Sequence, residues 1–298
     1  MSNDNSSRRN RQALVLGLLG VVMFGLTLPA TRLAVADLDP LFVTAGRSLV
    51  AAVLASLGLL WVRPPVPQRR EWPRLAAFAA FSIIGFPLLM AIAMQHAPAA
   101  HGAVVLAVLP LLTAMGGALV AGERPSPGFW ACGVAGTLSV LAYSLLTGGT
   151  GGDLQWADLL LAASAVSAAM AYALGGEMAQ RIGGWAVISW ALMFSAPVML
   201  VLVLLSGPIN WAAGASAWAG FLYVSVFSMF LAFVAWNRGL ALGGIARVGQ
   251  IQLLQPFVAL AASAALLGED VGWLEIGFAA LVVCLVALGW RMRVVRRG

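Results

Sequence analysis

The sequence LPLLTAMGGALVAGE at residues 109–123 has a counterpart, QPFVALAASAALLGE, at residues 255–269. Both stretches are apolar, both carry a proline at the second position, and both end in Gly-Glu. The two prolines, Pro110 and Pro256, are 146 positions apart, and so are the two glutamates. This register indicates an internal duplication, which is the architecture of many secondary transporters.

Ten apolar runs fill the chain, five in each copy. We place them at residues 13–36, 41–62, 74–95, 99–121, 127–147, 156–180, 184–206, 216–238, 246–267 and 272–291. A helix of about twenty residues crosses a hydrocarbon core of roughly 30 Å. Because five is odd, the second copy would enter the membrane from the opposite side. The sequence therefore predicts an all-α integral membrane protein with ten transmembrane helices, arranged as two inverted five-helix repeats around a central cavity.

The predicted organisation follows these runs. It has a cytoplasmic N-terminal tail at 1–12, a first repeat at 13–147, a Gly-rich outer linker at 148–155, a second repeat at 156–291 and an Arg-rich cytoplasmic tail at 292–298. The chain is 61% hydrophobic and 9% charged, so it leaves no room for a soluble catalytic domain.

All 17 basic residues are arginines. If the N-terminus is inside, 15 of them fall on inner segments and only Arg32 and Arg47 lie toward the outside, which follows the positive-inside rule. We therefore expect a multi-pass protein of a bacterial-type inner membrane, with both termini in the cytoplasm. The arginines sort by loop rather than onto one exposed face, which argues against nucleic-acid binding.

A carrier with inverted repeats holds its substrate near the bilayer midplane. The aromatic and hydroxyl candidates near the middle of the runs are Phe24, Thr27, Phe86, Tyr172 and Trp190. The helix-breaking or gating candidates are Pro29, Pro87, Pro110 and Pro256. A proline in a membrane helix frees the carbonyl four residues earlier, which a neighbour, a water or a ligand must then satisfy. A harmless kink is the alternative for any single proline.

Gln252 and Gln255 are three residues apart and share a face of run nine. A buried amide is costly unless it is hydrogen-bonded. The corresponding positions of the first copy are Leu106 and Leu109, so the pair adds donors and acceptors on one side only. Substrate binding and interhelical hydrogen bonding both remain open for this pair.

Two cationic or titratable side chains are further candidates. Arg47 lies about seven residues into run two, and a charge inside the membrane is a candidate functional group. Its long side chain could instead reach the outer interface. His101 opens run four, where it could bind a substrate or titrate, or simply be a solvated capping residue.

No Asp or Glu lies near the middle of any run, so proton or sodium coupling lacks its usual carboxylate. Facilitated diffusion or another mode of coupling is expected. An apolar, aromatic cavity with a few amides and hydroxyls suits amphipathic or zwitterionic metabolites. We expect no cofactor and no metal, since His96 and His101 would point to different helix faces.

Several motifs together resemble a known family. The two Pro-x12-Glu segments are preceded by Ala-Pro-Ala-Ala at 97–100 and by Gly-Gly-Ile-Ala at 243–246. With Phe24-Gly25 in run one and Ala-Gly-Arg at 45–47 in run two, they resemble the EamA repeat of the drug/metabolite transporter superfamily. Within it the chain is most similar to the YddG-type exporters of aromatic amino acids.

The resemblance implies a basket of ten helices, with runs one to four and six to nine around the cavity and runs five and ten at the periphery. It implies an inner-membrane exporter of amino acids and related metabolites. Arg47 matches an arginine common in the family, and the cavity positions implied by the mapping are Phe86, His101, Tyr172, Trp190 and Gln252. The family's usual Trp-Gly of run one is Phe24-Gly25 here, which leaves substrate preference open.

The leading hypothesis is thus a carrier that exports aromatic and other neutral amino acids by alternating access, functional as a monomer in the lipid bilayer. The alternative is a carrier of another small metabolite or drug-like compound. An intramembrane enzyme is a remote alternative, since the sequence contains neither His-Glu-x-x-His nor Gly-x-Ser-x-Gly.

Overall fold

A computed structural model describes residues 2–64, 66–94, 108–146, 156–267 and 272–296. The described part is almost wholly helical. Its α-helices are α1 (Ser2–Gly25), α2 (Thr27–Val35), α3 (Pro40–Val62), α4 (Trp72–Ala79), α5 (Phe86–Met94), α6 (Leu109–Ala121), α7 (Pro127–Leu146), α8 (Trp156–Ile182), α9 (Gly184–Leu205), α10 (Ala215–Tyr223), α11 (Ala232–Gly243), α12 (Ile245–Gly249), α13 (Gln255–Leu267) and α14 (Trp273–Arg291). Two short strands are β1 (Glu123–Pro125) and β2 (Val294–Arg296).

Six helical stretches are long and apolar enough to cross a membrane. They are Ser7–Val35, Pro40–Val62, Trp72–Met90, Leu159–Ile182, Gly184–Leu205 and Ala215–Gly243. Two shorter apolar helices span Leu109–Ala121 and Ile276–Arg291. The chain is therefore a multi-pass membrane protein, while the count of ten transmembrane helices stays a prediction.

Local sequence explains several helix ends. The Asp39 side chain accepts the Phe42 N–H at 2.9 Å, and Pro40 occupies the first turn of α3. A short acceptor followed by proline is typical of a helix N-terminus. At the other kind of end, α6 stops at Gly122, which adopts the left-handed conformation with φ of 65°.

Several helices of one copy pack against the same partner helices as their equivalents in the other copy. The first helix of the first copy, α1, packs on α11 in the third helix of the second copy. Its equivalent in the second copy, α8, packs on α4 and α5, which form the third helix of the first copy. The same exchange relates the contact of α6 with α8 to that of α1 with α13. The pairs α3 with α9 and α7 with α14 join equivalent helices of the two copies. The duplication seen in the sequence is therefore also a duplication of packing.

A π-helical segment interrupts the third helix of each copy. The segments are Ala80–Gly85 and Val224–Leu231, and an offset of 146 residues carries the first onto the end of the second. In the first copy the Phe86 N–H bonds the Phe81 carbonyl, five residues back, just before Pro87. Because Pro87 has no N–H, the normal helical bond is missing there. Such π segments are frequent at functional sites.

Both ends of the chain carry regular structure where the sequence predicted tails. Helix α1 begins at Ser2, and the Arg9 side chain donates from Nε to the Leu242 carbonyl at 3.1 Å. Strand β2 pairs antiparallel with β1, with Glu123 opposite Arg296. These contacts tie both ends of the chain to the bundle.

Candidate functional site

An aromatic cluster lies where α1, α8 and α11 meet. This central cluster consists of Phe24, Tyr172, Phe233 and Trp236. Ring centroids are 5.2 Å apart for Phe24 and Phe233 and 5.5 Å apart for Tyr172 and Trp236. Phe24 also lies 6.4 Å from Tyr172, so the structure brings two of the predicted residues together. Both lie within a few residues of the middle of the spans Ser7–Val35 and Leu159–Ile182.

Gln252 lies beside this cluster on an irregular turn. Residues Gln250–Leu254 form a 3-10 helix between α12 and α13. Because Pro256 has no N–H, the Gln252 carbonyl lacks its α-helical donor, and the Gln255 N–H bonds it instead. The proline thus explains the break, and the freed carbonyl is satisfied within the chain rather than by a ligand.

The backbone carbonyl of Gln252 is hydrogen-bonded, but its side-chain amide is not bonded in the same way. It is buried, with 4% of its surface exposed, and it lies beside the Tyr172 hydroxyl. Neither its oxygen nor its nitrogen makes a hydrogen bond of normal geometry with any residue that the structure describes. A buried amide without a bond costs stability, so this side chain is placed to bond a ligand or a water.

Asn237 and Trp236 add further unpaired polar atoms. Both residues are fully buried, and neither the amide of Asn237 nor the indole N–H of Trp236 has a partner in the described part of the chain. Gly175 of α8 faces this amide, because a Cβ there would lie 2.5 Å from Asn237 Oδ1. Asn237 is not among the predicted site residues, because it is the second-last residue of predicted run eight and so looks like the end of a helix. The helix in fact continues to Gly243. An amide in an apolar run was the available signal.

Thr27 lies one turn beyond Phe24 and is already paired. Its Oγ1 lies 2.8 Å from Ser228 Oγ in the second π-helical segment and 3.2 Å from the Met23 carbonyl oxygen. The Tyr223 hydroxyl donates to the same carbonyl at 3.2 Å. Thr27 therefore joins the first helix to the opposite copy.

The remaining prolines lie at helix irregularities. Pro29 follows the junction of α1 and α2 at Leu26. Pro87 is the second residue of α5, directly after the first π-helical segment, and Phe86 beside it packs on the main core. Pro110 and Pro256 are each the second residue of a helix, in matching places of the two copies.

Three further candidates make no described ring contact or hydrogen bond with the central cluster. The Trp190 ring packs edge-on against Trp72, with centroids 6.2 Å apart. Arg47 is half-buried on α3, and its Nε atom is buried without a partner among the described residues. Gln255 is half-buried at the start of α13. His101 lies outside the described residues.

Glu123 links the two copies at one end of the bundle. Its carboxylate accepts the N–H groups of Ile245 and Ala246, each at 2.7 Å. These are the first N–H groups of α12, and a carboxylate is favourable at a helix N-terminus. Gly244 precedes them with φ of 92°, a conformation that glycine adopts readily. The Gly-Glu that marked the repeat therefore has a structural role, which only the pairing with the second copy reveals.

Two concave regions lie on this same end. A cleft of about 960 Å³ is bordered by α1 and Arg238, and a smaller one of about 300 Å³ lies beside Glu123 and Arg247. Within the described ranges, no three His, Cys, Asp or Glu side chains are grouped so as to hold a metal ion.

Comparison with known proteins shows the same duplication. The EamA-like transporter family matches this chain twice, at residues 11–145 and 155–289. The uncharacterized transporter YdeK of Bacillus subtilis (strain 168) is 46% identical over 273 residues, covering 91% of this chain and 94% of that protein. A probable terminal-alkyne amino-acid exporter of Streptantibioticus cattleyicolor is 28% identical over 85% of this chain and 84% of that protein.

A crystal structure of another protein shares the fold. It is 20% identical, has a TM-score of 0.81, and the match covers 93% of this chain and 97% of the other.

Proposed function

Because this chain belongs to the EamA-like transporter family, whose members are transporters rather than enzymes, we propose that it exports aromatic and other neutral amino acids from the cytoplasm. The observation that carries the proposal is the buried Gln252 amide beside the central cluster, which makes no hydrogen bond of normal geometry with the described residues. A relative named as a probable amino-acid exporter adds support.

The chemistry of the central cluster suits a zwitterion with an apolar side chain. Aromatic rings attract both apolar groups and cations, so they can face a side chain or an ammonium group. The Gln252 amide offers a donor to a carboxylate and an acceptor to an ammonium group. Around the cluster, the unpaired groups of Asn237 and Trp236 are neutral too. A substrate without net charge therefore fits better than an ion.

Transport would proceed by alternating access between two inverted repeats. The packing pattern, which survives exchange of the copies, supports this arrangement. Glu123 and the β1–β2 pair join the copies at one end, so opening toward that end would require these contacts to separate. The proposal includes ten transmembrane helices, repeats at 13–147 and 156–291, both termini in the cytoplasm and a functional monomer.

Efflux from preloaded vesicles tests the proposal. Purified protein is reconstituted, and release of phenylalanine, methionine and threonine is followed at several internal and external pH values. We expect saturable release that requires the protein, and the pH series reports any proton coupling. Folded protein that releases none of a broad panel of neutral amino acids would refute the proposal. Release of a drug-like compound in the same assay would then assign the alternative.

A further inference from the structure

Three arginines converge on the larger cleft. Arg8 and Arg11 reach it from α1, and Arg238 reaches it from the middle of α11. All three side chains are exposed, and none of them forms an ion pair with a side chain that the structure describes. Ser7 and Gln12 add polar side chains to the lining. The cleft is therefore strongly cationic.

The floor of the same cleft is apolar. Val15 and Leu16 line it below the arginines. The apolar surface then continues along α1 on residues that are 36–49% exposed, namely Val15, Leu18, Leu19 and Val22. Spacings of three and four residues place these side chains on the helix face that carries Arg8 and Arg11. One stripe of α1 is thus basic at its start and apolar beyond it.

The dimensions of this stripe match one leaflet of a bilayer. The membrane-spanning stretch begins at Ser7, so Arg8 and Arg11 lie in its first turns. The eleven helical steps from Arg11 to Val22 rise by roughly 16 Å. This is about half of a hydrocarbon core of roughly 30 Å. In a bilayer, this spacing would place the arginines at the depth of the lipid headgroups and the apolar stripe along the acyl chains.

We propose that the cleft between α1 and α11 binds one anionic phospholipid, whose phosphate lies among Arg8, Arg11 and Arg238. Its acyl chains would follow the apolar stripe of α1. Three positive charges, none of them in an ion pair with a side chain that the structure describes, favour an anionic headgroup over a zwitterionic one. The apolar floor favours a lipid over a soluble anion, because a free phosphate gains nothing from Val15 and Leu16. The site is distinct from the central cluster and does not depend on the substrate.

Lipid binding to the purified full-length protein tests this site. Native mass spectrometry would give the apparent affinities for phosphatidylglycerol and for phosphatidylcholine with the same acyl chains. The test variant carries Arg8→Gln, Arg11→Gln and Arg238→Gln. The matched control carries Arg69→Gln, Arg70→Gln and Arg74→Gln, which remove the same charge at exposed positions elsewhere. Inorganic phosphate serves as a competitor.

We expect the wild-type protein to prefer phosphatidylglycerol. Each cleft arginine should contribute about fivefold, so the triple variant should lose affinity on the order of a hundredfold. The control should retain the wild-type preference, and phosphate should not displace the lipid.

Three results would overturn the proposal. They are equal binding of both lipids, an equal loss in the control variant, and displacement by inorganic phosphate, which would assign the cleft to a soluble anion. If the triple variant does not fold, Arg8→Gln and Arg11→Gln are tested singly, and unchanged affinity in both would also reject the site.

Discussion

The Glu123 link and the central cluster both bury polar groups among apolar helices, yet they treat those groups differently. Both N–H groups that face the Glu123 carboxylate are bonded to it. The amides of Gln252 and Asn237 are also buried, but their side-chain atoms make no hydrogen bond of normal geometry with the described residues, and Gln252 only lies beside the Tyr172 hydroxyl. A paired polar group strengthens a scaffold, whereas an unpaired one weakens it unless a ligand or water completes it. The first region therefore holds the copies together, and the second is the region that we propose as the substrate site.

Removal of the Glu123 carboxylate should have the largest effect on stability. Glu123→Ala would leave the N–H groups of Ile245 and Ala246 buried without acceptors, at a cost of about 1–3 kcal/mol each. We expect the free energy of unfolding in detergent to fall by about 2–6 kcal/mol. Glu123→Gln keeps one acceptor and should lose about half as much. An unchanged unfolding midpoint for Glu123→Ala would remove the distinction between the two regions.

Replacement of Gln252 should lower transport and leave stability intact. Gln252→Leu removes a buried amide that makes no hydrogen bond of normal geometry with the described residues, so stability should be unchanged or higher. Efflux of neutral amino acids should fall by at least about tenfold, because a lost bond to a zwitterion costs about 1.5–3 kcal/mol. Vesicle efflux and thermal unfolding of the same preparation measure both. Normal efflux would take Gln252 out of the site.

Gln250 provides the matched control on the same 3-10 turn. Its Nε2 donates to the Phe129 carbonyl at 3.1 Å, so its amide is partly paired. Gln250→Leu should lower the free energy of unfolding by about 1–3 kcal/mol, since that carbonyl loses its donor. Efflux per folded molecule should stay near the wild-type level. If Gln250→Leu and Gln252→Leu behave alike, pairing does not separate scaffold from site.

The aromatic part of the central cluster should affect selectivity more than rate. Phe24→Ala removes one ring from the cluster, and an aromatic pair contributes about 0.5–1.5 kcal/mol beyond its buried area. We expect efflux of phenylalanine to fall about twofold to tenfold relative to that of threonine. Competition between the two amino acids in the vesicle assay measures this ratio. A fall of equal size for both would show that Phe24 only packs the helices.

Thr27 should show the smallest effect. Thr27→Val removes the contact with Ser228 while keeping the shape of the side chain. Hydrogen bonds between membrane helices contribute about 0.6 kcal/mol on average, so the unfolding midpoint should move only slightly. Efflux should be nearly unchanged, because this hydroxyl is already paired within the protein. A large loss of transport would place Thr27 in the site after all.

Much of the architecture could be predicted, because apolar composition indicates the membrane helices and the sequence repeat indicates the duplication. Pro110 and Pro256 fall in matching places, and the membrane helices follow the apolar runs. The family was identified from the same motifs. The candidate site was harder to predict from the sequence. Phe24, Tyr172 and Gln252 do lie together, but Trp190 packs on Trp72 instead. A single run shows that a residue is deep in the membrane, not which neighbouring helix it faces.

The sequence by itself determined the membrane environment, the duplication and the family, because hydropathy and repeat spacing are local properties that no partner can change. Only the tertiary structure decided which polar groups are satisfied. Glu123 bonds N–H groups 122 and 123 residues away, whereas Gln252, on a turn shaped by Pro256, finds no bond of normal geometry in the described chain. Hydrogen bonding depends on distance and direction between segments far apart in the chain, and folding alone brings those segments together.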